Sequence, residues 1–470
     1  MILNMSRRLN LFLVLIFLML LSAVTPNRSH AGGDEIDPYT GPSGLLEYLW
    51  WDIVPSHRKF KDDLNLPRKE RHLTGNPDEY RTKLTEIGIT PSVTYVTDTV
   101  GNPFGGVRQG VAYCDNIGLN IDFDLQKLAG MPGAKINMSG SWRNGTSLSN
   151  DYIDNAFNVQ QVFGGQTYKL VDLYFQQSLW EDRFNYRLGR IAMGDEFLSS
   201  PLYWNYVNNG FDGNPVAIFK NVPGVSAYPN TTWGARVRVR PVKEIYVMAG
   251  FFNNDPEVSE PENHGVDFSL KGPLFVIAET GYLRNREKGA SGMPGNFKLG
   301  AYYHDGDYDD LYRDSSGNSY ALSGSAPQTH HGNWGFYILL DQMIYREGGA
   351  GGQQGLTPFI SLLFAPDKDI NQMPFFMNGG LVYQGMIPGR DRDITSFGFV
   401  YGGFSDDLER HQEDADVGVQ RYELVLELNY NIEITRWLHF IPDVQYVMNP
   451  GGTGDISDAL VLGFQLAINL

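Results

Sequence analysis

From about residue 87 to the carboxyl terminus, segments in which apolar and polar residues alternate recur along the chain, separated by clusters of Gly, Asn, Asp and Pro. Side chains of a β-strand point to opposite faces with a period of two, so each segment makes one greasy face and one wet one. Residues 116–123 set Ile117, Leu119, Ile121 and Phe123 against Asn116, Gly118, Asn120 and Asp122. Residues 422–432 set Tyr422, Leu424, Leu426, Leu428, Tyr430 and Ile432 against Glu423, Val425, Glu427, Asn429 and Asn431, and residues 460–470 repeat the pattern. A soluble β-sandwich alternates too, so the decision rests on the whole chain. About sixteen such strands can be read, an even number of the size that closes a porin channel. Their spans are 87–98, 111–124, 134–143, 167–180, 184–193, 231–240, 244–253, 273–283, 296–304, 333–345, 356–365, 375–386, 393–403, 420–433, 437–448 and 458–470.

The connections sort by parity, as a barrel with both ends in the periplasm demands: even-numbered ones short, odd-numbered ones longer and external. Glu181-Asp182-Arg183, Pro241-Val242-Lys243 and Ile434-Thr435-Arg436 are tight, whereas the segments near 144–166, 194–230 and 305–332 are long. A sandwich has no reason for this asymmetry. Composition agrees, with 53 Gly, 26 Tyr, 27 Phe and 8 Trp. A mean hydropathy of −0.28 is far too low for a bundle of membrane helices. Trp180, Trp233, Trp334 and Trp437 lie near strand ends, where an aromatic girdle meets the lipid interface. The expected fold class is therefore all-β: a transmembrane antiparallel up-and-down β-barrel of about 16 strands, preceded by a short helical periplasmic segment.

The first residues read as a secretory signal. Arg7 and Arg8 precede an apolar run from Leu11 to Val24, and Ser29-His30-Ala31 offers a small-x-small cleavage site before Gly32. That run of about fourteen residues is shorter than the roughly twenty a spanning helix needs. The expected organisation is a signal peptide over 1–31, a periplasmic segment over 32–86 and an outer-membrane barrel over 87–470. Within the middle segment Asn76-Pro77-Asp78-Glu79 looks like a helix start, after which Tyr80, Leu84 and Ile87 share one face. Removing 1–31 takes the net charge from −17 to −20, which argues against nucleic acid as a partner. Much of that charge falls in 305–310 and 405–416, which read as solvated loops; divalent cations bridging them to anionic lipid headgroups are the second, less common reading, and outer-membrane lipid and lipopolysaccharide are expected partners. Cys114 is the single cysteine, so an internal disulfide and a cysteine metal site are both excluded.

A sugar is a ring of hydroxyls with apolar faces, so a sugar-selective pore needs charged or amide groups beside aromatic surfaces. The longest external loop, 194–230, holds Asp195, Glu196, Tyr203, Trp204, Tyr206, Phe211, Asp212 and Lys220, the mixture expected of a loop folded inward to narrow a channel. After it come Arg236, Arg238 and Arg240, alternating with Val237 and Val239. An arginine facing lipid costs about 2–4 kcal/mol near the bilayer midplane, so three in register face the lumen. There, either of two roles is open to them: binding hydroxyls, or pairing with carboxylates across the pore. By the same alternation Lys135, Arg143, Asp172, Tyr174, Gln176, Glu279, Lys298, Tyr302, His304, Glu423, Glu427, Asp443 and Gln445 are lumen groups, most of them members of an ion-pair network. The candidate solute-lining set is Arg236, Arg238, Arg240, Trp204, Tyr206, Asp195, Glu196, Glu279 and Lys298.

No HExxH, GxSxG or P-loop motif occurs, and Glu423 and Glu427 on one strand sit about 13 Å apart, too far for a glycosidase pair. His330-His331 lies in a stretch rich in Ser and Gly and reads as solvated rather than metal-binding. An enzyme is not expected, and neither a cofactor nor a metal is called for.

The stretch Asn378-Gly379-Gly380-Leu381-Val382-Tyr383-Gln384-Gly385 with Pro388-Gly389-Arg390-Asp391-Arg392-Asp393 resembles the OprB-type carbohydrate-selective porins. So do Tyr422-Glu423, Pro442-Asp443-Val444-Gln445-Tyr446, Asn449-Pro450-Gly451-Gly452, Gly88-Ile89, Gly105-Gly106 and His264-Gly265. The resemblance covers most of residues 80–470. It implies a sixteen-stranded outer-membrane barrel admitting glucose and related sugars, with an inward loop and charged residues at the narrowest point. Leu470 stands where the family usually ends in Phe, and residues 45–75 are longer and more basic than a simple lead-in. The expected function is passive, carbohydrate-selective diffusion of small sugars, with the chain as monomer or homotrimer. Two alternatives are a general or ion-selective porin of the same fold and a secreted β-rich carbohydrate-binding protein.

Overall fold

Strand follows strand along the chain, each hydrogen-bonded antiparallel to the next. The computed structural model describes residues 73–75, 79–211, 215–286, 292–348 and 354–470. The signal segment, the basic stretch before residue 73, positions 76–78 of the helix start and Asp212 lie outside the described residues. Helix α1 (Tyr80–Ile87) leads into β1 (Ile89–Phe104), which is followed by β2 (Val111–Asp124), β3 (Ala134–Gly145), β4 (Thr167–Leu179), β5 (Phe184–Ile191) and β6 (Thr232–Val242). Next come β7 (Ile245–Asn253), β8 (Leu274–Arg284), β9 (Gly295–Asp314), β10 (Pro327–Gln342), the two-residue β11 (Tyr345–Arg346) and β12 (Gly355–Phe364). The series ends with β13 (Phe375–Gln384), β14 (Ile394–Gly403), β15 (Tyr422–Thr435), β16 (Leu438–Met448) and β17 (Ala459–Asn469). Setting β11 aside, sixteen long strands remain among the described residues. β1 pairs with both β2 and β17, Thr94 opposite Asn469 and Gly101 opposite Leu462, so the sheet closes. Closure leaves no edge strand, the condition for a sheet to cross hydrocarbon. No helix of the described residues is long and apolar enough to do so.

Alternation sorts the two faces as the sequence predicts. Leu119, Leu188, Val239, Leu340, Leu381, Leu428, Val444 and Leu462 are exposed on the outside, whereas Asn116, Arg236, Glu423, Glu427 and Gln465 are buried on the inside. Such a band of apolar side chains is intolerable in water over a whole surface and favourable in lipid. Tyr113, Trp142, Tyr168, Tyr422 and Tyr446 are exposed near the external strand ends, and Trp180, Tyr282 and Tyr345 near the periplasmic ones. Trp180 is 73% exposed, whereas Trp233, Trp334 and Trp437 are half-buried. Among the described helices, α1 falls where the Tyr80, Leu84, Ile87 spacing places it, but none of its residues is buried. It is held instead by Arg81, which donates to the Leu470 carbonyl at 2.8 Å.

The acidic stretch 305–332 is not an irregular loop. β9 and β10 run on as a hairpin well past their expected ends, leaving only residues 315–326 as the turn region. Asp305, Asp307 and Asp309 point out while Gly306, Tyr308 and Asp310 point in. The period of two persists, but polar residues occupy both faces, so an alternation of hydropathy does not register it.

The barrel interior is occupied by two external connections, 146–166 and the described residues 192–211 and 215–231. Their apolar residues Phe157, Phe197, Tyr203, Tyr206 and Phe211 form one core with inward residues of the wall that include Phe252, Phe275, Tyr337, Phe359 and Val400. The strands leave room for them where they carry glycine. A Cβ on Gly398 would lie 2.6 Å from Tyr206 Cε1 and 2.7 Å from Phe211 Cζ, and one on Gly402 would lie 2.6 Å from Phe157 Cζ.

Candidate functional site

The inward loop is tied to the wall chiefly by carboxylates accepting backbone N–H groups. Glu427 on β15 accepts from Val207 at 2.7 Å and from Asn208 at 2.9 Å. Four residues earlier on the same strand, Glu423 accepts from Ala156 at 2.7 Å, Phe157 at 2.8 Å and Gly451 at 2.7 Å. On β1, Asp98 accepts from Val162 at 3.1 Å, and on β4 Asp172 accepts from Ala192 at 3.2 Å. Irregular backbone inside a barrel has donors that the ladder cannot satisfy, and a carboxylate oxygen is a strong partner for them. Glu279 does the same for Leu198 at 3.2 Å while accepting the hydroxyls of Tyr246 and Tyr337 at 2.7 and 2.8 Å. Lys298 Nζ lies 4.0 Å from Glu279 and donates to the Ser199 carbonyl at 2.7 Å.

The arginine ladder faces inward. Arg236 is wholly buried, with Nε 2.7 Å from Glu196 Oε2 and an Nη on Asn185. Glu196, at the end of a single helical turn after β5, also binds Arg187, whose guanidinium lies over the Tyr174 ring at 4.6 Å. One carboxylate thus bridges two guanidiniums that would otherwise repel. Arg238 meets Asp182 at 2.9 Å and Arg240 approaches it at 3.7 Å. Asp182 itself sits in the tight β4–β5 turn, where Trp180, Glu181 and Asp182 all have positive φ.

Of the loop aromatics, Tyr206 is buried and stacked on Phe211 at 4.0 Å, and its hydroxyl donates to the Phe397 carbonyl at 3.0 Å. Burial, with Glu427 nearby, holds its phenol well above the ordinary range, so it is a neutral donor. Trp204 and Asp195 are half-buried on the same loop. The structure therefore brings Glu196, Arg236, Arg187 and Asn185 into one cluster, Glu279 and Lys298 into a second, and Arg238 and Arg240 into a third.

A further inward group lies toward the external ends of β2, β3 and β4. The Arg143 guanidinium rests 5.0 Å over the Tyr228 ring, Asn116 donates to the Tyr228 hydroxyl at 2.9 Å, and Lys169 Nζ donates to Asn230 Oδ1 at 2.6 Å. Tyr228 and Asn230 keep part of their surface open. Lys169, Tyr228 and Asn230 are absent from the sequence-derived set. Lys169 is out of phase with Asp172, Tyr174 and Gln176 on β4, and only the register shift between Leu170 and Leu173 brings all four to the inner face. Tyr228 and Asn230 belong to the loop and carry no periodic signal.

Residues 108–470 match the family described as carbohydrate-selective porin, OprB family. The chain belongs to that family. Porin B of Pseudomonas aeruginosa is 28% identical over 409 residues, 82% of this chain and 88% of that protein. The putative porin QuiX of Acinetobacter baylyi is 22% identical over 431 residues, 84% of this chain and 92% of that protein. The high-pH structure of Pseudomonas putida OprB superposes with a TM-score of 0.81 at 28% identity, covering 86% of this chain and 99% of that one. This OprB-family chain is thus a sugar-selective channel of the bacterial outer membrane, and its closed barrel agrees with the P. putida fold over nearly that protein's whole length.

Proposed function

We propose that small sugars diffuse passively through this porin along the polar wall of β2–β6, and that Arg143, Lys169, Tyr228 and Asn230 contact them directly. The observation that carries this reading is the juxtaposition of a part-open phenol ring with an amide and two fixed cations, the chemistry a pyranose face and its hydroxyls require. Trp204, half-buried on the inward loop, is a second stacking surface. Arg236, Arg238, Arg240, Glu196, Glu279 and Lys298 act one step back, holding the loop and setting the field across the lumen. No bond is made or broken in transit, so the protein works as a conduit and not as an enzyme. Every chain carries its own constriction, built from its own loops, so monomer and homotrimer conduct alike per chain. The external aromatic residues Tyr113, Trp142 and Tyr168 would meet lipopolysaccharide and the lipid interface.

The test is sugar block of single-channel current in planar bilayers. Tyr228→Ala removes a stacking surface worth about 1–1.5 kcal/mol and is expected to weaken half-maximal glucose block roughly tenfold at unchanged open conductance. Block as tight as that of the unaltered protein, in both Tyr228→Ala and Lys169→Ala, would remove this cluster from the solute path.

A further inference from the structure

We propose that Asp310, His330 and Asp369 form a site for one zinc-class divalent cation on the outer rim of the channel. The three donors come from three separate segments: the external extension of β9, the facing extension of β10, and the connection between β12 and β13. His330 Nε2 lies 2.9 Å from Asp310 Oδ2 and 3.7 Å from Asp369 Oδ2, and the candidate ligand atoms of all three residues lie within 4.8 Å of one another. An ion with ligands about 2.0–2.2 Å away, at tetrahedral or octahedral angles, holds its donors roughly 3–3.5 Å apart. The His330 separations of 2.9 and 3.7 Å bracket that spacing, and the third pair lies within 4.8 Å.

The surroundings orient the donors. Asp310 is 3% exposed, and its Oδ1 is taken up by the backbone N–H groups of Tyr312 at 2.9 Å and Arg313 at 2.7 Å, which aims Oδ2 at His330. The Leu311 N–H donates to the Asp369 carbonyl at 2.7 Å and so clamps that connection to β9. Such supporting bonds preset ligand geometry. The His330 and Asp369 side chains are 22% and 36% exposed, which leaves an approach from solvent and room for water to complete the shell. One imidazole nitrogen with two carboxylates suits Zn²⁺ and neighbouring transition ions, whereas Ca²⁺ prefers six to eight oxygens. To bind, Nε2 presents its lone pair to the metal, which leaves the ring proton on Nδ1.

The adjacent His331 belongs to a different pair of carboxylates, Asp305 at 2.9 Å and Asp307 at 2.8 Å, and serves as an internal control. The connection that carries Asp369 also carries Asn371, which exchanges hydrogen bonds with Asn333 at 2.8 and 3.1 Å. Two residues further on, the Met373 N–H donates to Asn221 of the inward loop at 2.9 Å. An ion at this site therefore staples the part of the rim from which the constriction hangs.

The experiment is calorimetric titration of ZnCl₂ into the chelator-treated, detergent-solubilised porin, repeated with CaCl₂ as competitor. One Zn²⁺ per chain is expected, and His330→Ala and Asp369→Asn should each weaken it by at least about tenfold. His331→Ala and excess Ca²⁺ should leave it unchanged. No zinc binding, affinity indifferent to both ligand variants, loss with His331→Ala, or equal displacement by Ca²⁺ would each overturn the site. Heat-modifiable electrophoretic mobility verifies that each variant is a folded barrel. Should His330→Ala fail that check, Asp369→Asn, at a side chain 36% exposed, carries the comparison.

Discussion

Glu196 and Arg236 meet where the inward loop leaves β5, and their pairing makes a strong prediction about single residues. Arg236→Ala would leave the buried Glu196 still paired with Arg187 but without its bond to Arg236, at a cost of about 1.5–3 kcal/mol, readable as a lower unfolding temperature in detergent. Arg236→Lys should recover only part of this, because a single ammonium does not reproduce a guanidinium that reaches both Glu196 and Asn185. Arg238→Ala, near the tight β4–β5 turn, should cost less, since Asp182 keeps Arg240, Ser178 and Asn185 within reach. Glu427→Gln is the complementary case. An amide offers one acceptor oxygen where the carboxyl offers two, so either Val207 or Asn208 loses its acceptor, a change of about 1.5–3 kcal/mol. The expected readout is increased open-channel current noise from a loosened loop, with the barrel itself still heat-modifiable. Noise equal to that of the unaltered protein would show that the two bonds do not hold the loop.

At the scale of elements, the constriction depends on a loop lying flat against strands that carry glycine. Gly398→Leu would drive a side chain into the Tyr206–Phe211 stack and push residues 203–211 toward the lumen. Open conductance should fall by about half or more while the strand pairing of β13–β15 persists, and an unchanged conductance would place the loop elsewhere. The strands themselves were legible from sequence because each has one lipid face and one wet face, and only the ends shifted. Where both faces are wet, as in Asp305 to Asp310, alternation of hydropathy carries no signal, and the chain makes a hairpin where that pattern predicts a loop. The inward position of residues 194–230 was expected, but their contacts were not, because bonds from Glu427 to Val207 or from Asn378 to Gly210 join positions far apart in sequence. Glu423, Glu427 and Asp172 were read correctly as inward-facing, yet their work of satisfying loop backbone leaves no mark in the local pattern. Lys169 was invisible for a narrower reason, since a register shift in β4 moves it into phase with its inward neighbours.

Taken as a whole, the molecule is a barrel whose outside is sorted for lipid and whose inside is divided. Inward loops pack an apolar core against the wall, most of it on β7–β17, while buried polar side chains line both β2–β6, as in Arg143, Arg187 and Arg236, and the far wall, as in Glu279, Glu423 and Glu427. The inward loops fill much of the bore of a barrel of sixteen long strands, and in the proposed solute path the remaining wall offers amides, cations and a phenol ring. The same architecture without solute contacts would be a general diffusion pore. The direct measurement is single-channel conductance of the purified, refolded protein in a planar bilayer, titrated with glucose and then with disaccharides. The account predicts a stable open current that glucose blocks saturably, with weaker or slower block by the larger sugars. A current that stays open and indifferent to sugar at every concentration would contradict it.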